Sequence, residues 1–320
     1  MKLASYNVRY DIKPDNITVQ QSLDSLATTD PLKPPIYLAL TEEQPWSTRR
    51  LRVAEILLNE DVALIGFQEA LIRQVNDLKE LLGDDWAWIG VGREDGVKKG
   101  EFSPIFYKCS EIELLSTDSF WLSKTPFKPS KYPGAGCTRV CTVGRLRTIK
   151  ERKQFTALNT HLDHSSDEQR RFGASLLLHR ARFEAMSTHS AVFVLGDFNS
   201  SSAQTDSGAY QIITGSIPPL PIDPVFTQKY PIDPAQLPSF GCLDLRTEGP
   251  RRNVSSNFAT FTAFRKPGNT KDWSRIDFVF GGSNRGWLVK QYNVRSSRSD
   301  DGILASDHRP VFVDVDLLSG

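Results

Sequence analysis

Acidic, amide and imidazole side chains recur at the ends of apolar runs in this chain. Asn7 closes the first run, Glu69 follows Val-Ala-Leu-Ile-Gly-Phe-Gln, and His161 follows Ala-Leu-Asn-Thr. Asp197 and Asn199 come after Val-Phe-Val-Leu-Gly, Asp277 opens Ile-Asp-Phe-Val-Phe, and Asp307 and His308 precede the last apolar run. Any one of these has an ordinary structural reading, because polar residues commonly end buried strands and cap turns. Together they supply hard oxygen ligands for a divalent cation, acid–base groups, and donors for a phosphate oxyanion, which are the parts of a metal-assisted hydrolase. His161 and His164 stand three apart, as zinc ligands can. No cysteine pair accompanies them, and the oxygen-rich set fits a hard cation better.

Elements that could position such groups are legible from periodicity. Short runs rich in β-branched and aromatic residues at 62–67, 103–107, 155–159, 191–195, 276–280 and 311–317 read as buried strands. Residues 48–59 and 70–82 place Val53, Ile56 and Leu57, and Leu71, Val75, Leu78 and Leu82, on single helical faces. A third helix is expected after Ser165, whose spacing to Glu168 fits a capping box, with His179 at its core edge. Segments 14–45, 126–136 and 218–238 are proline-rich and read as irregular loops. Strands alternating with helices, then a strand-rich last third, point to an α/β (α+β) sandwich with helices outside.

The 320 residues are 39% apolar and 24% charged, enough for a core without disulfide or metal staples. A net charge of +1 marks no basic nucleic-acid footprint, and the clusters at 98–99, 251–252 and 285–298 read as solvated faces. Cys109, Cys137, Cys141 and Cys242 form no C-x-x-C pair and are expected as reduced, mostly buried thiols. No apolar leader core or membrane-length run is visible, so the expectation is an intracellular protein, cytoplasmic or nuclear. There is no G-x-S-x-G elbow and no G-K-S/T phosphate loop.

The strings S-Y-N-V-R-Y-D, G-F-Q-E-A-L, N-T-H-L-D-H, G-D-F-N-S, R-I-D-F-V-F and S-D-H-R-P, from Asn7 to Pro310, resemble the ordered motif set of the endonuclease/exonuclease/phosphatase superfamily, including its pancreatic-type deoxyribonuclease and exonuclease III-type members. The nearest resemblance is to a branch without a settled substrate, sharing G-R-x-D-G…G-E-F-x-P-I-F-Y, here Gly92 to Tyr107, and F-W-L-S-x-T-P, here Phe120 to Pro126.

That resemblance implies one domain over residues 1–320, a four-layer sandwich of two packed mixed β-sheets flanked by helices. It implies Glu69 as the principal carboxylate for Mg²⁺ or Mn²⁺, with Asn7 and Asp307 close to the metal. Asp197 would orient or deprotonate the attacking water, and Asn199 would donate to a phosphate oxygen. His308 would pair with Asp277 and His161 with Glu101, each acid fixing its imidazole. Arg139, in Cys-Thr-Arg-Val-Cys, falls where relatives place a phosphate-contacting arginine; on a strand Cys137, Arg139 and Cys141 would share a face. Arg9 and the segment 46–49 also fit the branch pattern, with no chemical role that beats packing or a salt bridge.

The leading expectation is a metal-dependent phosphodiesterase cutting DNA or RNA, acting as a monomer. The alternative is a phosphatase or phosphodiesterase of small molecules or lipid headgroups, for which Phe120-Trp121-Leu122 is the one modest membrane-contact candidate and reads mainly as core strand. A catalytically dead scaffold is disfavoured, since every chemical position holds a competent residue type.

Overall fold

The apolar runs form two six-stranded sheets that pack face to face with helices outside. The computed structural model describes residues 1–26, 42–203, 206–266 and 268–318. Its elements in chain order are β1 (Lys2–Asn7), α1 (Val19–Asp24), α2 (Trp46–Asn59), β2 (Leu64–Gln68), α3 (Ile72–Leu82), β3 (Trp86–Ile89), β4 (Ile105–Lys108), β5 (Ile112–Trp121), β6 (Val140–Thr148), β7 (Gln154–His161), α4 (Asp167–Thr188), β8 (Ala191–Asp197), α5 (Gly208–Ile213), α6 (Pro224–Lys229), β9 (Cys242–Asp244), α7 (Leu245–Glu248), β10 (Asp277–Gly282), β11 (Trp287–Val294) and β12 (Val311–Leu317).

One sheet runs β11-β12-β1-β2-β4-β3 and the other β5-β6-β7-β8-β10-β9. Each has a parallel pair at its centre, β1 with β2 and β7 with β8, flanked by antiparallel neighbours. The carboxyl ends of the parallel strands therefore meet the amino ends of β10 and β12 at one edge of the sandwich. That topology alone gathers Asn7, Glu69, His161, Asp197, Asp277 and His308.

Three apolar layers hold the sandwich. Leu3, Leu64, Phe155, Phe193, Val279 and Val313 fill the space between the sheets. Val53, Leu57, Val75 and Leu78 of α2 and α3 cover the first sheet, and Phe172, Leu176 and Ile212 of α4 and α5 cover the second. Phe120 and Leu122 are fully buried and Trp121 nearly so, which makes that tripeptide core and not a membrane probe. No helix among the described residues is long and apolar enough to cross a membrane.

Several local expectations shift. Two proline-rich segments contain short helices, α1 and α6, while residues 27–41 of the first lie outside the described residues. Ser166, not Ser165, caps α4, accepting from the Gln169 N–H at 3.1 Å. The Asp163 carboxylate takes the N–H groups of both Ser165 and Ser166, at 3.0 and 2.9 Å, so the turn ends one residue later than the capping-box spacing implies. His179 is half-buried at the core edge, its Nε2 2.8 Å from the Tyr230 carbonyl. All four cysteines are free; Cys141 and Cys242 are buried, Cys137 half-buried and Cys109 exposed.

A buried polar clamp joins the sheets beneath the site. Asn159 on β7 donates to the carbonyls of Phe67 (2.7 Å) and Pro104 (2.8 Å), and its oxygen accepts from Gln68 Nε2 at 2.7 Å. Gly66 makes room, since a Cβ there would lie 2.6 Å from the Asn159 oxygen. Stranding these partners in a dry interior costs about 1–3 kcal/mol each. Asn159→Ala is therefore expected to lower the unfolding free energy by roughly 2–4 kcal/mol. Urea denaturation would measure it, and a loss under about 0.5 kcal/mol would contradict the clamp.

Candidate active site

The strand ends enclose a cavity of about 450 Å³ whose lining includes Glu69, His161, Asp197, Asn199, Asp307 and His308. Strand register sets much of its geometry: His161, Asp197 and Asp277 lie abreast across β7, β8 and β10. Asp197 is central. Its Oδ1 accepts the Asn199 N–H at 2.9 Å, and its Oδ2 accepts from Asn7 Nδ2 at 3.0 Å. The same Oδ2 lies 3.5 Å from His161 Nε2 and 3.6 Å from His308 Nε2. Gly196 permits this approach, because a Cβ at that position would sit 2.3 Å from the Thr160 carbonyl oxygen.

From the first sheet, Asn7 also donates to Glu69 Oε1 at 2.9 Å, bridging Glu69 and Asp197. Its own oxygen accepts the Arg9 N–H, so the amide presents N–H, not oxygen, to the two carboxylates. Glu69 Oε2 accepts the Tyr10 N–H at 3.1 Å. Arg9, Glu69 and Asn199 all have φ between 46° and 62°, a left-handed conformation that non-glycine residues adopt at a cost. Three cavity-lining side chains are thus aimed by strained backbone that the surrounding packing enforces.

Fully buried Arg49 stabilises this edge. It donates to the carbonyls of Val8 (2.7 Å), Ala305 (2.9 Å) and Arg9 (3.1 Å), tying the end of β1 to the segment carrying Asp307 and His308. That is a positioning role for the 46–49 segment.

The two histidines occupy opposite electrostatic environments. His308 Nδ1 meets the Asp277 carboxylate at 2.9 and 3.1 Å, the pairing expected from the sequence. Burial alone would lower the His308 pKa, yet Asp277 and Asp197 overcome it and hold the imidazole well above its usual range. Burial, then Arg139 and Arg93, push His161 well below. Burial raises the Asp197 carboxyl to about 7, reinforced by Asp277. Burial also raises Asp307, with Glu69 adding to it.

The expected His161–Glu101 pair does not form. Glu101 is taken by Arg93, Nη1 to Oε2 at 2.6 Å. A guanidinium makes a charge-assisted bond that a neutral buried imidazole cannot match. His161 is instead held through Nε2 by Asn199 Nδ2 at 3.0 Å, while its Nδ1 has no partner. The Asn199 amide also donates to the Leu162 carbonyl at 3.1 Å.

Arg139 lines the cavity just before β6 begins, nearly fully buried, and its Nε and Nη1 make no hydrogen bond. Cys137 joins it in the lining, but Cys141 does not: it packs in the apolar layer under α4, because the strand has by then left the sheet edge. Asp163, which the sequence reading passed over, fixes this corner. Its Oδ2 accepts the Gly136 N–H at 3.0 Å, tethering the segment before Arg139 to the β7–α4 turn. His164 is an exposed loop residue beside the site, its Nδ1 3.3 Å from Arg139 Nη2. Arg93 was also missed as a cavity residue; its one signal was the glycine-flanked motif around it.

Ligand atoms of Glu69, Asp197 and His308 lie within 4.8 Å of one another. A sequence profile of the Endonuclease/Exonuclease/phosphatase family matches residues 4–308. The chain belongs to this family. Its members are metal-dependent phosphoester hydrolases that generally use divalent metals. An endonuclease/exonuclease/phosphatase from Bacteroides vulgatus is 28% identical, with 99% of this chain and 98% of that one covered and a TM-score of 0.74. A functionally unknown conserved protein from Enterococcus faecalis is 25% identical, with coverage of 99% and 100% and a TM-score of 0.71. A mannosyl-6-phosphatase from Bacteroides thetaiotaomicron shares the fold at 23% identity, coverage of 99% and 100%, and a TM-score of 0.70. No curated protein sequence matches the chain significantly.

Proposed function

We propose that this protein hydrolyses phosphate esters with Mg²⁺ or Mn²⁺ by in-line attack of water on phosphorus. The observation that carries the reading is the convergence of Glu69, Asp197 and His308 on one cavity, with Asn7 bridging the two carboxylates. The residues fit a hard cation. Glu69, Asp197 and Asp307 all line this cavity; burial, with Glu69 adding to it, raises the Asp307 carboxyl, whereas Glu69, despite burial, is held below its usual range by His308 and the Asn7 and Tyr10 N–H groups. Held by Glu69 with Asp307 beside it, and with Asn7 orienting Glu69 through its N–H and not as a ligand, a divalent cation would offset that charge and polarise a phosphoryl oxygen.

The remaining steps belong to the chain's own groups. Asp197 orients the attacking water and accepts its proton. His308, fixed by Asp277, faces the phosphoryl group with Nε2 and stabilises the charge that develops there. Asn199 spends its amide on His161 and Leu162, whereas Arg139, with Nε and Nη1 unpaired, is placed to donate to the non-bridging oxygens. Water adds to phosphorus as the ester P–O bond breaks, and cationic His308 passes a proton to the leaving alkoxide while Asp197 keeps the one taken from water.

A cavity of about 450 Å³ is sized for a small substrate. Of the cations noted in the sequence, Arg285 and Arg295 are paired with Glu248 and Glu60, and Lys99 with Glu94, which leaves less charge to track a strand of phosphates. A small phosphate ester is therefore favoured over the nucleic acid expected from the sequence. The test is a panel in Mg²⁺, Mn²⁺ or chelator: a labelled oligonucleotide in single- and double-stranded form, an aryl phosphodiester and an aryl phosphomonoester. Metal-dependent cleavage of the small esters with the oligonucleotide intact is expected. An oligonucleotide ladder would restore the nuclease reading, and cleavage of nothing would overturn the hydrolase.

A further inference from the structure

The chemistry above leaves two sequence motifs without a use, Gly92 to Tyr107 and Phe120 to Pro126. In the structure they interlock. Residues 92–101 close on themselves through Gly92 N–H to the Val97 carbonyl, Arg93 N–H to the Glu101 carbonyl and Glu94 N–H to the Lys99 carbonyl, at 3.1–3.2 Å. The Asp95 carboxylate accepts three further N–H groups, from Val97, Lys98 and Lys99. Gly92 is required by the close crossing, since a Cβ there would lie 2.5 Å from the Lys99 carbonyl oxygen. Trp121 of the second motif donates from Nε1 to the Arg93 carbonyl at 2.7 Å and is itself held by its N–H to the Pro126 carbonyl at 2.8 Å.

This rigid assembly presents one thing to the catalytic cavity: the Arg93–Glu101 pair, each side chain 14% exposed, beside Arg139 and Cys137. Arg93 Nε makes no hydrogen bond. The pair is neutral as a unit. It adds no net attraction for a second phosphate, and the Glu101 carboxylate would repel one. What it offers is a carboxylate acceptor next to guanidinium donors, which complements adjacent hydroxyl groups.

We propose that the Arg93–Glu101 pair, braced by Trp121, determines specificity by binding the leaving group, and that it selects the phosphate ester of a neutral, polyhydroxylated molecule. This rests on the hydrolase reading and deepens it. A site built to hydrogen-bond substrate hydroxyls rejects an analogue lacking them by a large factor, because its own polar groups are then left unpaired.

The experiment compares kcat/KM for a hexitol phosphate and for hexyl phosphate, which has the same chain length without hydroxyls, with an aryl phosphate as a third substrate. The wild-type enzyme is expected to favour the hexitol ester by about 100-fold or more. In Arg93→Lys, confirmed folded by circular dichroism, that ratio is expected to fall at least about tenfold, chiefly through KM, since a point charge replaces the planar fork. Arg93→Gln serves if the lysine variant does not fold. Equal wild-type turnover of the two alkyl esters, or equal loss on both in the variants, would overturn the proposal while leaving the hydrolase intact. Hydrolysis of the aryl phosphate alone would do the same, and hydrolysis of none of the three would overturn both.

Discussion

Glu69→Gln should abolish most metal-dependent turnover, by at least about a hundredfold in kcat/KM, with the fold unharmed. The substitution keeps the side chain's size and an oxygen for the Asn7 N–H at 2.9 Å, but removes the charge that would anchor the cation. Stability should fall modestly, by about 1–3 kcal/mol, because a glutamine offers one oxygen where Glu69 accepts two N–H groups, from Asn7 and Tyr10, and because the fold, despite burial, holds the Glu69 carboxyl below its usual range. Steady-state kinetics in Mn²⁺, paired with calorimetric Mn²⁺ titration and a thermal melt, separates these effects. Weakened ion binding, lost turnover and a cooperative melt at a modestly lower temperature are the joint expectation. Unchanged activity would remove Glu69 from the site.

His308→Asn should cost about 10³-fold in kcat, the size typical of losing a donor aimed at developing charge together with proton-transfer capacity. Asparagine can still donate to Asp277, which is fully buried and would otherwise be left as an uncompensated charge. KM should move little, because the imidazole is directed at the reacting phosphoryl group and not at the remote part of the substrate. Asp277→Asn tests the coupling: it keeps His308 in place but withdraws the partner that supports its cationic form. A kcat loss in both, smaller in Asp277→Asn, is expected. A loss confined to KM in either variant would assign the pair to binding.

The positions of Glu69, Asp197, Asp277 and His308 were legible because each ends or opens an apolar run, and two parallel strand pairs bring such ends to a single edge. Their partners were harder. The type and place of Glu101 are plain from the chain, but not whether an imidazole or a guanidinium claims its carboxylate. Arg93 wins only because the 92–101 segment folds back on itself, a tertiary fact carried by Gly92 and Asp95. Gln68 and Asn159 are single polar residues at the ends of apolar runs, and nothing local says that they face each other across two sheets. The same holds for the strained backbone at Arg9 and Glu69, which packing imposes against the preference of those residue types. The α4 cap moved by one residue because Asp163 competes for the N–H groups that a capping box would leave free.

The central claim is that hydrolysis at this cavity depends on a hard cation. Wild-type protein stripped with chelator and titrated with Mn²⁺, while phosphate-ester hydrolysis is followed, tests it most directly. The expected result is no turnover without the ion and saturable restoration with it. Turnover that survives chelation, or that no concentration of Mn²⁺ or Mg²⁺ brings back, would contradict the account.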